Sequence, residues 1–325
     1  MIDRQDGPDP QDLAGQDVAR QDVARQDVAR QGLDASERAA AFSEHRRMLF
    51  GIAYRMLGSV ADAEDLVQDT WISWSQATAQ VANPGGYLAR TVTNLSLNRL
   101  RSAVVQREAY VGPWLPEPLV TAPDASADAE LAEAVSLAML VVLESLSPLE
   151  RAVFVLKEVF AFSYKEIAEV LERGEAAVRQ LGSRARAHVQ ARDARYDAPA
   201  ETRRQVTDEF LAACVGGDLN RMLELLAPDV TAWTDGGGKV RAALRPVHGA
   251  DNVARFILGI MARRIPDFGV RAVLVNGQPG LLVTSEGRTD TVACFEVADD
   301  RVAAIHLVRN PDKLTHVRPA DLAGD

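Results

Sequence analysis

Residues 162–189 admit few folds. Phe162-Ser-Tyr-Lys-Glu-Ile-Ala-Glu-Val-Leu171, a Glu-Arg-Gly174 break and the run from Glu175 to Val189 read as two helices joined by a tight turn. Ile167, Ala168, Leu171, Val178 and Leu181 keep helical spacing and would pack the pair together. Gly174 is expected to supply the backbone freedom of the corner. The second helix presents Arg179, Gln180, Ser183, Arg184, Arg186 and Arg192, and no acid occurs from Ala176 through Arg192. A helix-turn-helix whose second helix carries fork-shaped donors suits the major groove of DNA. The alternative is an ordinary helical hairpin with a solvated basic face.

The chain has 325 residues, enough for two or three domains with their own cores. Its formal net charge of −10 means that any nucleic-acid contact is local, with the acids placed elsewhere. Cys214 and Cys294 lie in apolar sequence, which suggests buried free thiols in a reducing compartment rather than a disulfide or a metal site. No cationic-then-apolar leader opens the chain. The apolar run around Leu137 to Leu143 is far too short to span a bilayer. A cytoplasmic protein without membrane contact is expected.

Residues 1–35 are polar and contain the pentad Gln-Asp-Val-Ala-Arg three times in tandem. A period of five fits neither a helix nor a heptad, so a disordered tail is expected. A helical unit follows over 36–108. Phe42, Leu49, Phe50, Ala53, Met56 and Leu57 form one stripe, Val60 to Ser75 a second helix, and Tyr87 to Arg107 a third after the break at Asn83-Pro-Gly-Gly86. Residues 109–128 form an acidic linker, kept extended by Pro113, Pro116, Pro118 and Pro123. A second helical unit, 129–195, contains the helix-turn-helix.

After Pro199 the pattern changes to helices over Glu201–Val215, Leu219–Leu226 and Ala250–Arg264. Strands are expected at 230–234, 240–243, 270–276, 280–285, 289–297 and 301–308. This predicts an α+β domain over 200–315, with helices on one face of a curved antiparallel sheet, and a short tail at 316–325.

Charge in the first unit is sorted by helix. Asp62, Glu64, Asp65, Gln68 and Asp69 cluster on the second helix, whereas Arg90, Arg99, Arg101 and Arg107 lie on the third without an intervening acid. One face suits a basic protein surface and the other suits phosphate. Asn94 and Asn98, one turn apart, carry amides able to read base edges, and Thr91, Thr93 and Ser96 add hydroxyl donors. Trp71, Trp74 and Tyr87 are stacking candidates for unpaired bases, with core packing as the alternative.

Asp62-Ala-Glu-Asp-Leu-Val-Gln-Asp69, Gly86-Tyr-Leu-Ala-Arg90 and Asn94 resemble region 2 of bacterial extracytoplasmic-function sigma factors. Leu146-Ser-Pro-Leu-Glu-Arg151, Tyr164-Lys-Glu-Ile-Ala168 and Val178-Arg-Gln-Leu-Gly-Ser-Arg-Ala-Arg186 resemble their region 4. The resemblance covers about 36–195 in the family's order. It implies a specificity subunit of RNA polymerase. The acidic helix at Asp62, Glu64, Asp65, Gln68 and Asp69 would dock on the polymerase core. Asn94, Asn98, Arg99 and Arg101 would open and read the −10 promoter element. Glu175, Arg179, Gln180, Ser183, Arg184 and Arg186 would read the −35 element, and the anionic linker would suit a basic polymerase channel.

The last third resembles the cone-shaped SnoaL-like fold, shared with nuclear transport factor two and ketosteroid isomerase. A subset of these sigma factors carries such an extension, with three short signatures. They stand here as Trp114-Leu-Pro-Glu-Pro118, Asp235-Gly-Gly-Gly-Lys239 and Asn310-Pro-Asp-Lys-Leu314. The glycine run lacks the spacing of a phosphate loop and reads as a strand-end turn. As a regulatory module, the extension would grip the linker through Trp114, Pro116 and Glu117. Asp235, Gly236, Gly237, Gly238, Lys239, Asn310, Asp312 and Lys313 would make the contacts. As an enzyme it would need a base inside the cone, for which Asp235, Asp290 and His306 are the candidates. No catalytic residue, cofactor or metal is expected, and an unidentified small ligand in the cone cavity stays open. The competing readings are a one-component ligand-sensing regulator and a protein whose extension is a cyclase- or isomerase-like enzyme.

Overall fold

A computed structural model describes residues 34–77, 81–121, 136–193, 198–262 and 267–319. The pentad repeat and residues 122–135, where the second helical unit was expected to begin, lie outside them.

The first unit contains α1 (Ala35–Leu57), α2 (Val60–Ser75) and α3 (Pro84–Glu108). Their ends are fixed by local chemistry. Asp34 and Glu37 form a capping box on α1, and Gly58, in the left-handed region at φ 66°, ends it. One residue later the Ser59 hydroxyl accepts from the Asp62 amide and starts α2. The second unit contains α4 (Leu137–Leu143), α5 (Pro148–Phe154, continued by a π-turn over Val155–Val159), α6 (Tyr164–Leu171) and α7 (Glu175–Asp193). Ser147 with Glu150, and Ser163 with Glu166, cap α5 and α6 in the same reciprocal manner.

The corner between α6 and α7 corrects one expectation. Its left-handed residue is Glu172, at φ 52°, and not Gly174. The glycine that matters is Gly182 on α7, where a Cβ would come within 3.1 Å of the Tyr164 ring and 3.3 Å of Val153. Its bare backbone lets α7 pack closely on α5 and α6.

The third unit contains α8 (Ala200–Gly216), α9 (Leu219–Leu225), α10 (Ala250–Met261) and a sheet of seven strands. These are β1 (Val120–Thr121), β2 (Leu226–Asp235), β3 (Val247–His248), β4 (Gly269–Val275), β5 (Gln278–Ser285), β6 (Arg288–Ala298) and β7 (Arg301–Val308). Their order is β1-β4-β5-β6-β7-β2-β3. Every pairing is antiparallel except β2 with β7, which are parallel. Asn276-Gly277, Glu286-Gly287 and Asp299-Asp300 turn the three hairpins, each pair with positive φ, as tight hairpin turns require.

Three sequence expectations differ here. Residues 240–243 are not a strand. The Thr234 hydroxyl accepts from the Ala243 amide at 2.8 Å, which takes the place of a ladder bond, and the edge strand forms later at β3. Linker residues Val120 and Thr121 extend the sheet as its other edge. The described part of the C-terminal segment is packed: Val317 is buried, and its carbonyl accepts from the Thr289 hydroxyl at 2.7 Å.

Both faces of the sheet are covered. Leu281, Ala293, Phe295, Val297, Val302, Ile305 and Leu307 pack under α8–α10. Their strand neighbours Leu282, Val292, Cys294 and Val308 join one continuous core with both helical units. That is why 291–295 of β6 is buried without a break, where a one-sided sheet would alternate.

Candidate functional site

The extension grips the linker through a buried carboxylate. Asp235, at the end of β2, has no exposed surface. Its Oδ2 accepts from the Leu115 amide at 2.8 Å and from Lys313 Nζ at 2.7 Å; its Oδ1 accepts from Tyr110 Oη at 2.5 Å and from the Gly237 amide at 3.1 Å. Lys313, 6% exposed, also donates to the Leu115 carbonyl and lies 4.0 Å from the Trp114 ring centre. Asn310 Nδ2 donates to Tyr110 Oη at 2.8 Å, and Lys239 pairs with Asp312 at 2.5 Å on the rim. Desolvation first, then the hydrogen bond to Asp235, raises the Tyr110 pKa and keeps it a neutral donor.

All three short signatures therefore meet in one place. Gly236, Gly237 and Gly238 form the turn that lets them do so. Gly237 has φ 58°, and a Cβ there would lie 2.3 Å from Asn310 Nδ2 and 3.0 Å from Tyr110 Oη. Only glycine fits.

The other end of the gripped segment reaches the acidic helix. Glu117, 9% exposed, accepts from the Val60 amide at 2.7 Å and from the Ser59 hydroxyl at 2.9 Å, so a linker carboxylate caps the N-terminus of α2. Tyr54 Oη donates to the Glu117 carbonyl at 2.6 Å, and Asn276 Nδ2 donates to Tyr54 Oη at 2.9 Å. Asn276 also closes two bonds with Leu119, 3.1 Å from its amide and 2.7 Å to its carbonyl. Leu115, Pro116, Glu117 and Pro118 are the buried residues, while Trp114 is half-buried over Gly58, so the anchor is the middle of the signature. Tyr54, Tyr110 and Asn276 carry this site without having been singled out by the sequence. Each acts through a partner more than 60 positions away.

On α2, Asp65, Gln68 and Asp69 are exposed, while Asp62 and Glu64 are half-buried. Arg99 Nε on α3 donates to Asp62 Oδ1 at 2.9 Å, and Arg46 pairs with Glu64 at 2.6 Å. The hydrogen bond to Asp62 raises the Arg99 pKa further. The acidic and basic sets, sorted by helix in the sequence, are thus cross-linked in space. Asn98 and Arg101 are exposed and hydrogen-bonded at 3.2 Å; Asn94 is half-buried. Thr93 and Ser96 face the core, and Thr91 and Ser96 return their hydroxyls to the carbonyls one turn back, so these hydroxyls are not a reading surface. Trp74 is buried against Tyr87 with its indole donating to the Arg38 carbonyl at 2.9 Å, and Trp71 packs on Phe42. Trp74 serves the core.

On α7, Glu175, Arg179, Gln180, Ser183 and Arg184 form an exposed face, and Arg186 turns back to Glu158 at 2.7 Å. Arg179 pairs with Glu175 and lies 4.9 Å from the Tyr164 ring centre. Arg90 and Arg151 both tie the helical units together. Arg90 on α3 contacts Glu172 in the helix-turn-helix corner. Arg151, 2% exposed, donates from Nη1 to the Met56 carbonyl at 2.7 Å and to Glu144 at 2.8 Å, and burial lowers its pKa to about 9.

Residues 41–104 match the family Sigma-70 region 2, 136–189 match Sigma-70 region 4, and 207–305 match the SnoaL-like domain. The chain is 42% identical over 287 residues to the ECF RNA polymerase sigma factor SigJ of Mycobacterium tuberculosis, covering 84% of this chain and 92% of that one. It is an extracytoplasmic-function sigma factor. The probable ECF RNA polymerase sigma factor SigI of the same organism is 33% identical over 88% of this sigma factor and 97% of its own length. The crystal structure of SigJ superposes with a TM-score of 0.71 at 38% identity, covering 86% of this chain and 99% of that chain. The sigma factor fold is two helical Sigma-70 domains followed by a SnoaL-like domain with a sheet, and its function is to direct transcription initiation. No helix among the described residues is long and apolar enough to cross a membrane.

Proposed function

We propose that this sigma factor binds RNA polymerase core through α2, opens and reads the −10 element through α3, and reads the −35 element through α7. In this reading the SnoaL-like domain modulates all three by holding the linker. It acts in the cytoplasm, on promoter DNA, and not as a catalyst. The observation that carries the regulatory part is the convergence of Trp114–Pro118, Asp235–Lys239 and Asn310–Leu314 on the Asp235 carboxylate.

Magnitudes separate the contacts that can change partner from those that hold. The Arg99–Asp62, Arg90–Glu172 and Arg179–Glu175 pairs are exposed, and such pairs are worth about 0–1 kcal/mol each. Phosphate or a polymerase surface displaces them readily. The buried Asp235–Lys313 and Arg151–Glu144 pairs cannot be traded for solvent at that scale. The helical units therefore exchange surface partners on binding, while the linker clamp persists until something competes for the linker itself.

A catalytic reading of the cone fits less well. The cavity under α8–α10, about 100 Å³, is lined mainly by apolar side chains including Phe210, Ile257 and Phe295. Its carboxylate, Asp290, is held by Arg309 at 3.0 Å through both oxygens. Asp235 and His306 belong to the outer side, toward the helical units.

Two measurements test the assignments of faces. Asp65 is exposed and contacts Arg99 only at 3.8 Å, so Asp65→Arg should leave the fold intact and weaken core-polymerase pull-down at least tenfold. Unchanged capture would remove α2 as the docking face. Arg179→Ala and Arg184→Ala should each cost about 1–3 kcal/mol in promoter binding if they contact bases. Equal weakening on random DNA in the same gel-shift series would reassign them to phosphate.

A further inference from the structure

Tyr164, the first residue of α6, is half-buried, and its ring enters a slot in α7 left by the missing side chain of Gly182. On α7, Arg179 stands three residues before Gly182 and Arg186 four residues after it, which is the spacing of one helical stripe. Both arginines reach the ring. Arg179 Cζ lies 4.9 Å from its centre, and Arg186 Nη2 donates to Tyr164 Oη at 3.4 Å. A third cation, Lys157 of the π-turn, lies 5.2 Å from the ring centre and donates to the Phe162 carbonyl at 3.2 Å.

The two arginines are held in different ways. Arg186 is half-buried, and its Nη2 also donates to Glu158 at 2.7 Å, which draws it toward the π-turn. Arg179 is exposed, and its Nε donates to Glu175, one turn earlier, at 3.1 Å. That carboxylate is a poor support once DNA arrives, because phosphate repels it and an exposed pair of this kind is weak. The ring contact carries no such conflict. A cation over an aromatic ring uses the guanidinium face, and the in-plane N–H donors stay free for a paired contact with a guanine edge. A side chain already held in place also loses less rotamer freedom when it binds.

We infer that Tyr164 is a positioning residue for promoter recognition: its ring pre-orders Arg179 as a base reader, and its hydroxyl helps to keep Arg186 turned toward Glu158. This role rests on α7 reading the −35 element, and it selects Arg179 among the arginines of that helix.

The test uses the full chain, wild type and with Tyr164→Phe or Tyr164→Leu. In NMR spectra of chains with labelled arginine side chains, the ring-current shift of Arg179 should survive Tyr164→Phe and vanish in Tyr164→Leu. The Arg186 resonances should move in both, since both lose the hydroxyl. Gel shifts then compare a duplex enriched by the wild-type chain from a random-sequence pool with the pool itself. Tyr164→Leu should lower the preference for the enriched duplex about two- to fivefold, the scale of an exposed cation–π contact, while binding to the pool stays nearly unchanged. Tyr164→Phe should keep the preference within about twofold of wild type, on the same scale. In an Arg179→Ala background, Tyr164→Leu should cost no further preference. Arg179 resonances that ignore Tyr164→Leu, equal weakening on both DNAs, or a further loss in the Arg179→Ala background overturns the inference. Arg184→Ala, at a position whose ion-pair partner is Glu150, separates two failures. Preference lost in Arg184→Ala but kept in Tyr164→Leu rejects the positioning role alone. Preference kept in both rejects the −35 reading of α7 and this role with it.

Discussion

Replacing Asp235 with alanine should release the extension from the linker. The substitution strands the Lys313 ammonium, 6% exposed, and takes the acceptor from the Leu115 amide and the Tyr110 hydroxyl together. Removing one partner of a buried ion pair costs about 3–5 kcal/mol, because the remaining charge is left without compensation. The linker around Trp114 should become cleavable by protease under conditions where the wild-type chain is intact. Lys313→Met should rescue part of the loss, since the double variant buries no unpaired charge. A double-mutant cycle should therefore show coupling well above the few tenths of a kcal/mol seen between independent sites. Additive losses would mean that the two groups do not act as a unit.

Arg151→Ala should loosen the seam between the helical units. Arg151 is the buried donor that joins the α1 carbonyl at Met56 to Glu144 beyond α4, and deleting it leaves that carbonyl without its partner. An unsatisfied buried acceptor costs about 1–3 kcal/mol, and the lost packing of the side chain adds to this. Amide exchange should accelerate more in α1 and α5 than in β5–β7, because one face of these strands packs in a separate cluster under α8–α10. With the seam loosened, the α3 and α7 faces proposed to read the −10 and −35 elements, tied by Arg90–Glu172, should engage DNA more readily, read as a lower protein concentration for half-maximal promoter shift. Slower exchange in α1, or uniform destabilisation of all three units, contradicts this division.

The elements that sequence resolves best are those whose signals are local. Ser147-Pro-Leu-Glu150 contains its own cap, and the stripe on α6 names its own buried face, so the second helical unit can be drawn from residues alone. Charge on α2 and α3 was legible only helix by helix. That Asp62 lies beside Arg99 is a property of how the two helices cross, and the separate acidic and basic surfaces expected from sequence are in contact. Thr93 and Ser96 were expected to offer hydroxyls beside Asn94 but point to the core, because being polar does not say which face of a helix a short side chain occupies. Residues 240–243 have strand-like composition, yet a side-chain hydroxyl took the ladder's place. The clamp was accessible through family resemblance of its three signatures. Its completing residues, Tyr54, Tyr110 and Asn276, have no local pattern at all, being defined by partners as far as 222 positions away.

In the proposed regulation, a linker held on one buried carboxylate sets this sigma factor's access to its promoters. Promoter-dependent run-off transcription with purified core polymerase, comparing the wild-type chain with Asp235→Ala at matched holoenzyme concentration, addresses it directly. Specific initiation is expected from the wild-type chain, and from the variant a several-fold change in the level of the same transcripts. Identical output from the two, with the variant's linker shown to be protease-sensitive, would contradict it.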